Sequence, residues 1–314
     1  MRAIGTENNH KKSTRDTEKA RLKRLTPRVN CQIIRQSIRP SDPMNHQPTL
    51  PILHFAHANS YPAGTYGMFF DQLRAHYDVR ALPMHAHNPR YPVDDGWRKL
   101  GKELGEELAQ RYSEPVILVG HSMGGILSLL AGRKRPDLVR CVVLLDSPIV
   151  AGWRASTLRL LKLLRIESKH SPSVASSRRR NAWPDMEAAY QHYAAKAMFA
   201  AWPERVLRDY VAHGVEPAPS GGVKLRFTRE TETAVYRTIP HHLGALTRRQ
   251  YPVPVGFVGG VDSVECRLAG LDATKRLVGK HFRQIPGGHL FPMEAPEAAA
   301  QATHEMIRGL LAGK

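Results

Sequence analysis

The stretch Val116-Ile-Leu-Val-Gly-His-Ser-Met-Gly-Gly125 constrains what this chain can fold into more than any other. Four consecutive apolar residues, three of them β-branched, suit a parallel strand buried on both faces. Gly120-His-Ser-Met-Gly124 then fits G-x-S-x-G, in which a serine sits on a strained strand-to-helix turn and small flanking residues leave its hydroxyl accessible. Ile126, Leu127, Leu129 and Leu130 continue as an apolar helical pattern, so the helix that the motif requires does follow. A serine hydroxyl is a poor nucleophile alone, so the rest of the chain is read for a base, an acid and an oxyanion hole.

A length of 314 residues favours one large α/β domain with an insertion over two small domains. No apolar run approaches the roughly 18 residues of a membrane span, so a soluble protein without membrane insertion is expected. Cys31, Cys141 and Cys266 have neither metal-ligand spacing nor a pairing framework, which points to a reducing, cytoplasmic setting. The net charge of +18 raises nucleic acid as a partner, but its distribution does not support one. Residues 1–43 hold 11 of the 46 basic side chains and 4 of the 28 acidic ones, and the remainder is spread along the chain with one cluster at Arg178-Arg179-Arg180. No nucleic-acid motif accompanies it, and solvated surface charge is the reading taken; a basic rim around a site for an acidic substrate stays open.

Residues 1–43 are polar, basic and without sustained apolar periodicity, so disorder is expected there. They lack the apolar core of a secretory signal, and Glu7, Asp16 and Glu18 argue against an organelle transit peptide. Met44 stands just before the first strand-like stretch, which suggests that the functional protein begins near it. Beyond it, strands at Pro51–Phe55, Val79–Leu82, Val116–Val119 and Cys141–Asp146 alternate with helical patterns at Tyr66–Tyr77, Asp95–Arg111 and after Ser122. Alternation stops near Ser147-Pro148, and residues 151–250 read as a helical or irregular insertion rich in Trp and Tyr, placed to act as a lid. A strand at Val253–Val258, a helix over Val264–Val278, a strand at Phe282–Ile285 and a helix from about Pro296 to Leu311 follow. The expectation is an α/β fold: a mostly parallel sheet with helices on both faces, its core in residues 44–150 and 251–314 and a cap at 151–250.

Open sheets of this kind bind ligands outside the carboxyl ends of their strands, where Asn59, Ser122, Asp262 and His289 all fall. Among 16 histidines, His289 stands out as the base because Pro286-Gly-Gly-His-Leu-Phe-Pro292 follows the last strand and its glycines let a loop swing over the sheet. Asp262, just past Phe257-Val-Gly-Gly-Val261, is the preferred acid to orient that imidazole, with Asp146 as its competitor. Backbone N–H groups of Met123, the residue after the serine, and of Asn59, with Ala58 as neighbour, are the candidate oxyanion donors. His54, His57, His85 and His87 lie at the same edge and read as packing or hydrogen-bonding residues.

Gly120-His-Ser-Met-Gly-Gly125, His57-Ala-Asn-Ser-Tyr-Pro62, Gly259-Gly-Val-Asp262 and Gly287-Gly-His-Leu-Phe-Pro292 together resemble the α/β-hydrolase superfamily over roughly residues 50–312. The resemblance implies a cofactor-independent and metal-independent enzyme that acts on a small ester-like molecule through Ser122, His289 and an aspartate. Members similar in this way are mostly esterases, lipases, thioesterases or amidases; some relatives cleave carbon–carbon bonds or transfer acyl groups, and a ligand-binding role with little turnover is a further alternative. Relatives with an aspartate nucleophile are disfavoured by Ser122 at the elbow. The family's usual His-Gly appears here as His57-Ala58, which narrows the backbone angles open to that loop.

Overall fold

What the alternation of apolar runs and helices builds is seen in a computed structural model that describes residues 50–169 and 171–313. The expectations for residues 1–43 and for a start near Met44 lie outside the described residues. In chain order, β1 (Ile52–Ala56) leads through a 3-10 turn at Ala63–Tyr66 into α1 (Gly67–Leu73), β2 (Asp78–Ala81), α2 (Arg98–Arg111), β3 (Val116–His121), α3 (Met123–Lys134) and β4 (Val139–Leu145). The insertion holds α4 (Gly152–Leu163), α5 (Pro172–Arg178), β5 (Ala182–Trp183), α6 (Met186–Ala194), α7 (Glu204–Gly214), β6 (Val215–Pro217), β7 (Val223–Leu225) and α8 (Arg229–Arg237). The main fold resumes with β8 (Val255–Gly260), α9 (Val264–Ala269), α10 (Asp272–Val278), β9 (Phe282–Ile285), α11 (Phe291–Glu294) and α12 (Pro296–Ala312).

Six strands pair in the order β2-β1-β3-β4-β8-β9, every neighbour parallel. Alternate side chains feed two cores, as the pleat dictates. Leu53, Phe55, Ile117, Val119 and Val143 meet Phe69 of α1 and Ile307 of α12 on one face. Leu118, Val142, Leu144 and Phe257 meet Leu104 of α2 and Leu127 of α3 on the other. With both faces covered, the strands can be apolar throughout, which is why the Val116 run carries no polar alternation. The chain steps outward from β1 to β2 and then returns past β1 to add β3, so strand order reverses between β1 and β3. That reversal opens a crevice at the carboxyl ends, and Asn59 and Ser122 leave from its two sides.

Two elements differ from the sequence reading. The single helix expected over Val264–Val278 is broken into α9 and α10 at Gly270, whose φ of 74° lies in the left-handed region. The insertion also contains a small antiparallel sheet, β5-β7-β6, whose strands of two or three residues are too short to show a period. Its aromatics form the insertion's own core: Phe199 packs edge-on against Trp202 with ring centroids 4.8 Å apart, and Tyr193 against Tyr210 at 5.0 Å. Arg179, from the basic cluster, is turned inward, where it bonds Glu232 at 2.6 Å and the Tyr193 and Tyr210 hydroxyls at 2.8 and 2.9 Å. One guanidinium thus ties the end of α5 to α6, α7 and α8, and it is committed to that carboxylate rather than presented to an incoming anion.

Helix α3 can lie close to the sheet only because Gly124 and Gly125 in its first turn have no side chains. A Cβ on Gly124 would stand 2.0 Å from the carbonyl oxygen of Ala56, whereas one on Gly105 in α2 would meet nothing nearer than 4.0 Å. Gly124→Ala is therefore expected to destabilise the fold by about 1–3 kcal/mol or more through overpacking against fixed backbone. Gly105→Ala is expected to stabilise it by about 0.5–1 kcal/mol through helix propensity. Urea denaturation of the two variants beside the parent checks both signs.

Candidate active site

Ser122 marks the corner between β3 and α3, with φ 52° and ψ −116°, a conformation costly for a residue with a Cβ. Neighbouring bonds hold it there. Its N–H donates to the Leu145 carbonyl at 2.9 Å, and its own carbonyl accepts from Gly125 at 3.1 Å and Ile126 at 3.3 Å. Gly120 completes the corner, since a Cβ there would meet Gly124 backbone at 2.4 Å. The sharp turn leaves the Ser122 side chain partly exposed between the buried His121 and Met123.

His289 reaches Ser122 from the loop after β9. Its Nε2 lies 3.0 Å from Ser122 Oγ, and its Nδ1 lies 2.6 Å from Oδ2 of Asp146. The loop is seated by backbone contacts: Gly260 has room for no Cβ, because the Gly288 carbonyl oxygen would be 2.3 Å from it, and the Gly288 N–H donates to Glu294 at 2.9 Å. Asp146 ends β4 fully buried and accepts from the Gly260 N–H at 2.8 Å, the Ser263 hydroxyl at 2.6 Å and the Cys266 thiol at 3.3 Å besides His289. Burial alone raises a carboxyl pKa. Here the His289 bond and charge, with the Ser263 and Gly260 donors, outweigh it and hold Asp146 below its usual range.

The sequence reading preferred Asp262 over Asp146 beside His289, and the structure corrects it. Asp262 is exposed; its backbone N–H donates to the Gly287 carbonyl at 3.1 Å, and no hydrogen bond or ion pair joins its carboxylate to His289 among the described residues. It immediately precedes Ser263, the N-cap of α9, whose hydroxyl accepts from the Cys266 N–H, so the helix start turns Asp262 outward and Ser263 inward. The order serine, aspartate, histidine along the chain is kept with Asp146 in that place. Glu265, absent from the sequence reading, brings a second carboxylate to 3.8 Å from His289 Nδ1. Its position in the first turn of α9, three residues past Asp262, was the available signal.

Asn59 leaves β1 beside the serine corner. Its side-chain amide donates to the Glu232 carbonyl of α8 at 3.2 Å, which fastens the loop to the insertion. Among the described residues neither the Asn59 nor the Met123 backbone N–H has a protein acceptor; for Met123 this is the orphan state of a helix's first turn. Buried histidines shape this loop without carrying charge. His57 donates from Nδ1 to the Ala58 carbonyl at 2.8 Å and accepts the His85 N–H at 2.7 Å, and burial pulls its pKa down to about 4. His54 bonds the Tyr112 hydroxyl at 2.8 Å, and His87 spans from the His85 carbonyl at 3.0 Å to the Thr228 N–H at 3.1 Å, in keeping with packing roles.

A further chain, missed in the sequence, connects all three loops. The Ala58 N–H donates to the Tyr66 hydroxyl at 3.2 Å, Tyr66 donates to His121 Nδ1 at 2.8 Å, and His121 Nε2–H donates to the His289 carbonyl at 2.9 Å. Burial keeps His121 neutral, with a pKa of about 3, so both ring nitrogens are fixed in role. The pattern G-H-S was its one visible trace.

Asp146, Glu265 and His289 also offer ligand atoms within 4.8 Å of one another, the one such trio among the described residues. Asp146 already accepts four donors and His289 Nε2 faces Ser122, so a cation there would have to break that hydrogen-bonded chain.

The alpha/beta hydrolase family model matches residues 55–302, and the chain belongs to that family. The sn-1-specific diacylglycerol lipase ABHD11 of Mus musculus is 38% identical over 66 residues, 21% of this chain and 21% of that protein, so the match spans about a fifth of that relative. Of solved structures, E-2-(acetamidomethylene)succinate hydrolase superposes with a TM-score of 0.65 at 21% identity, covering 83% of this chain and 92% of its own. The thioesterase domain from the curacin biosynthetic pathway gives 0.57 at 18% identity, with 80% and 90% covered. At these identities the likeness establishes the fold.

Burial lowers the His289 pKa, but the hydrogen bond to Asp146 and the carboxylates of Glu265, Asp146 and Glu294 together raise it above the ordinary 6.5. An NMR titration of the His289 imidazole, assigned with a His289→Gln control, is expected to show that upward shift. Glu265→Gln should lower the midpoint toward 6.5, and Asp262→Asn should leave it in place.

Proposed function

We propose that this protein is a serine hydrolase that cleaves a carboxylic ester or thioester through an acyl-enzyme. The observation that carries the reading is the unbroken chain from Ser122 Oγ to His289 Nε2 at 3.0 Å and from His289 Nδ1 to Asp146 at 2.6 Å. Ser122 attacks the carbonyl carbon while Nε2 takes its proton. Asp146 holds the tautomer with hydrogen on Nδ1 and stabilises the imidazolium. The Met123 and Asn59 N–H groups receive the oxyanion. His289 returns the proton to the leaving alcohol or thiol, then deprotonates the water that releases the acid. No metal or organic cofactor enters the scheme.

An apolar acyl or alcohol group fits the surroundings best. A cavity of about 880 Å³ lies between α4, the start of α5 and the end of α8, with Leu158, Leu161, Ile166 and Ile239 among its walls. That size lies within the range of small-molecule sites. Tyr236, which also lines it, lies near the Asn59 side chain, while Ser122, Asp146 and His289 are not among the residues that line it. Residues 151–250 act in this reading as the cap over the site. A cytoplasmic setting belongs to the same proposal; Cys141 and Cys266 are both buried.

On a chromogenic ester, Ser122→Ala is expected to lower kcat by about 10⁴-fold or more, and Asp146→Asn by about 10⁴-fold. Asp262→Asn should stay within a few-fold of the parent; equal damage from both aspartate variants would return the orienting role to Asp262. The rate also depends on pH in one direction. Because His289 must be neutral to accept the serine proton and its pKa is raised, activity should fall in acid with an inflection above 6.5. A pH–rate profile checks the position, and a flat profile across that region removes His289 as the base.

A further inference from the structure

Helix α4 is built the wrong way round for a helix of a water-soluble body. Helices of this length are marginal in water and gain their stability by burying an apolar stripe. Of its 12 residues only Ala155 is buried. Trp153, Leu160 and Leu164, spaced i, i+7 and i+11 and so on one face, are 69%, 54% and 55% exposed. Leu161, Leu163 and Ile166, which edge the cavity, are exposed as well, so among the described residues six of the twelve exposed large apolar side chains fall between residues 153 and 166. The opposite side holds Ala155, Leu158 and Lys162, the last paired with Asp95.

Charge frames this apolar face. Residues 152–169 carry Arg154, Arg159, Lys162, Arg165 and Lys169 against one acid, Glu167, which pairs with Arg237. Among the described residues Arg154, Arg159, Arg165 and Lys169 have no carboxylate within ion-pair distance. The Arg154 guanidinium reaches Gly270 at the end of α9, a helix that exposes Val264 and Leu268 one turn apart. Apolar side chains flanked by cations without a carboxylate partner therefore extend from α4 to the end of α9, the helix that carries Glu265.

We propose that α4 docks the protein on an anionic lipid surface, with Trp153, Leu160 and Leu164 entering the acyl boundary and the flanking Arg and Lys side chains meeting headgroup phosphates and carboxylates. A Trp/Leu stripe flanked by Arg and Lys side chains suits a helix that lies in the plane of a membrane interface. Charge also decides against a second copy of this chain as the occupant, since the two faces would bring eight unpaired like charges together. The inference stands on this surface alone and is read without turnover, so it holds or fails separately from the role of Ser122.

The test is co-sedimentation of the full chain with vesicles of phosphatidylcholine alone and of phosphatidylcholine mixed with phosphatidylserine. Expected is binding to the mixed vesicles, with roughly 10-fold or more lipid needed in the neutral ones, and release as salt is raised. Trp97, Trp183 and Trp202 are buried, so the blue shift of indole emission on binding should vanish in Trp153→Phe. Trp153→Ser/Leu160→Ser/Leu164→Ser and, separately, Arg159→Gln/Arg165→Gln should each bind about 10-fold more weakly, with thermal melting showing that both variants remain folded. Three outcomes would overturn the proposal: no binding to the mixed vesicles at low salt, equal binding by the triple serine variant, or a concentration-dependent dimer of the parent that the serine variant abolishes.

Discussion

A single buried carboxylate organises this end of the molecule. Asp146 lies at the carboxyl end of β4 with no exposure, where an unpartnered negative charge would be strongly unfavourable. Four donors answer it from two stretches: Gly260 closing β8, Ser263 capping α9 and Cys266 within α9 from one, and His289 in the loop after β9 from the other. Satisfying the charge therefore fixes where the histidine loop and α9 lie relative to the sheet. The same charge, added to burial, pushes the Cys266 thiol pKa up, so that sulfur stays a donor and not a competing nucleophile. Asp146 itself takes a φ of 42° to turn out of the strand, strain that these four bonds hold in place.

Behind that carboxylate is a layer of uncharged histidines. His54, His57, His85 and His121 are all fully buried, and for each desolvation is the leading cause of a lowered pKa. Imidazole suits this layer because, when neutral, it offers one donor and one acceptor on opposite sides of a rigid ring. His121 uses both, linking Tyr66 to the backbone of His289, and His57 uses both between the Ala58 carbonyl and His85. His289 differs because carboxylates surround it, and it is the histidine of this group whose pKa is raised. The contrast separates a base from its scaffold by electrostatics, where composition shows only 16 similar residues.

The strand–serine–helix corner and the histidine loop were legible in the sequence because each depends on local backbone chemistry. Glycines at 120, 124 and 260 mark places where two backbones touch, and that need is written into the chain wherever it occurs. The choice between Asp146 and Asp262 was not legible. Both follow an apolar strand, and what separates them is depth: β4 sits between β3 and β8, and its end is roofed by α9, while Asp262 precedes the N-cap of α9 in solvent. Ser263 was the residue that carried the information, since a capping hydroxyl fixes which neighbour faces in. Gly270 and the three strands of the insertion escaped for another reason: a break of one residue and strands of two or three lie below the length at which a hydrophobic period can be counted.

The insertion itself has two parts held by different forces. One is a fixed roof, in which Tyr193, Phe199, Trp202 and Tyr210 pack on one another and Arg179 bridges α5 to α8; Asn59, bonded to the Glu232 carbonyl, ties the roof to the loop after β1. A buried ion pair of this kind contributes little net stability but strongly penalises any arrangement that separates its members, so it favours one roof geometry over others. The other part is α4, joined to the body through Ala155, Leu158 and the Lys162–Asp95 pair, with a cavity beneath it and apolar side chains above. Few contacts hold it, so displacing α4 forfeits little packing, whereas displacing the roof would expose an aromatic core and strand a guanidinium. Movement within the insertion therefore costs far less at α4 than in the roof, and α4 is also where the outward Trp/Leu stripe lies.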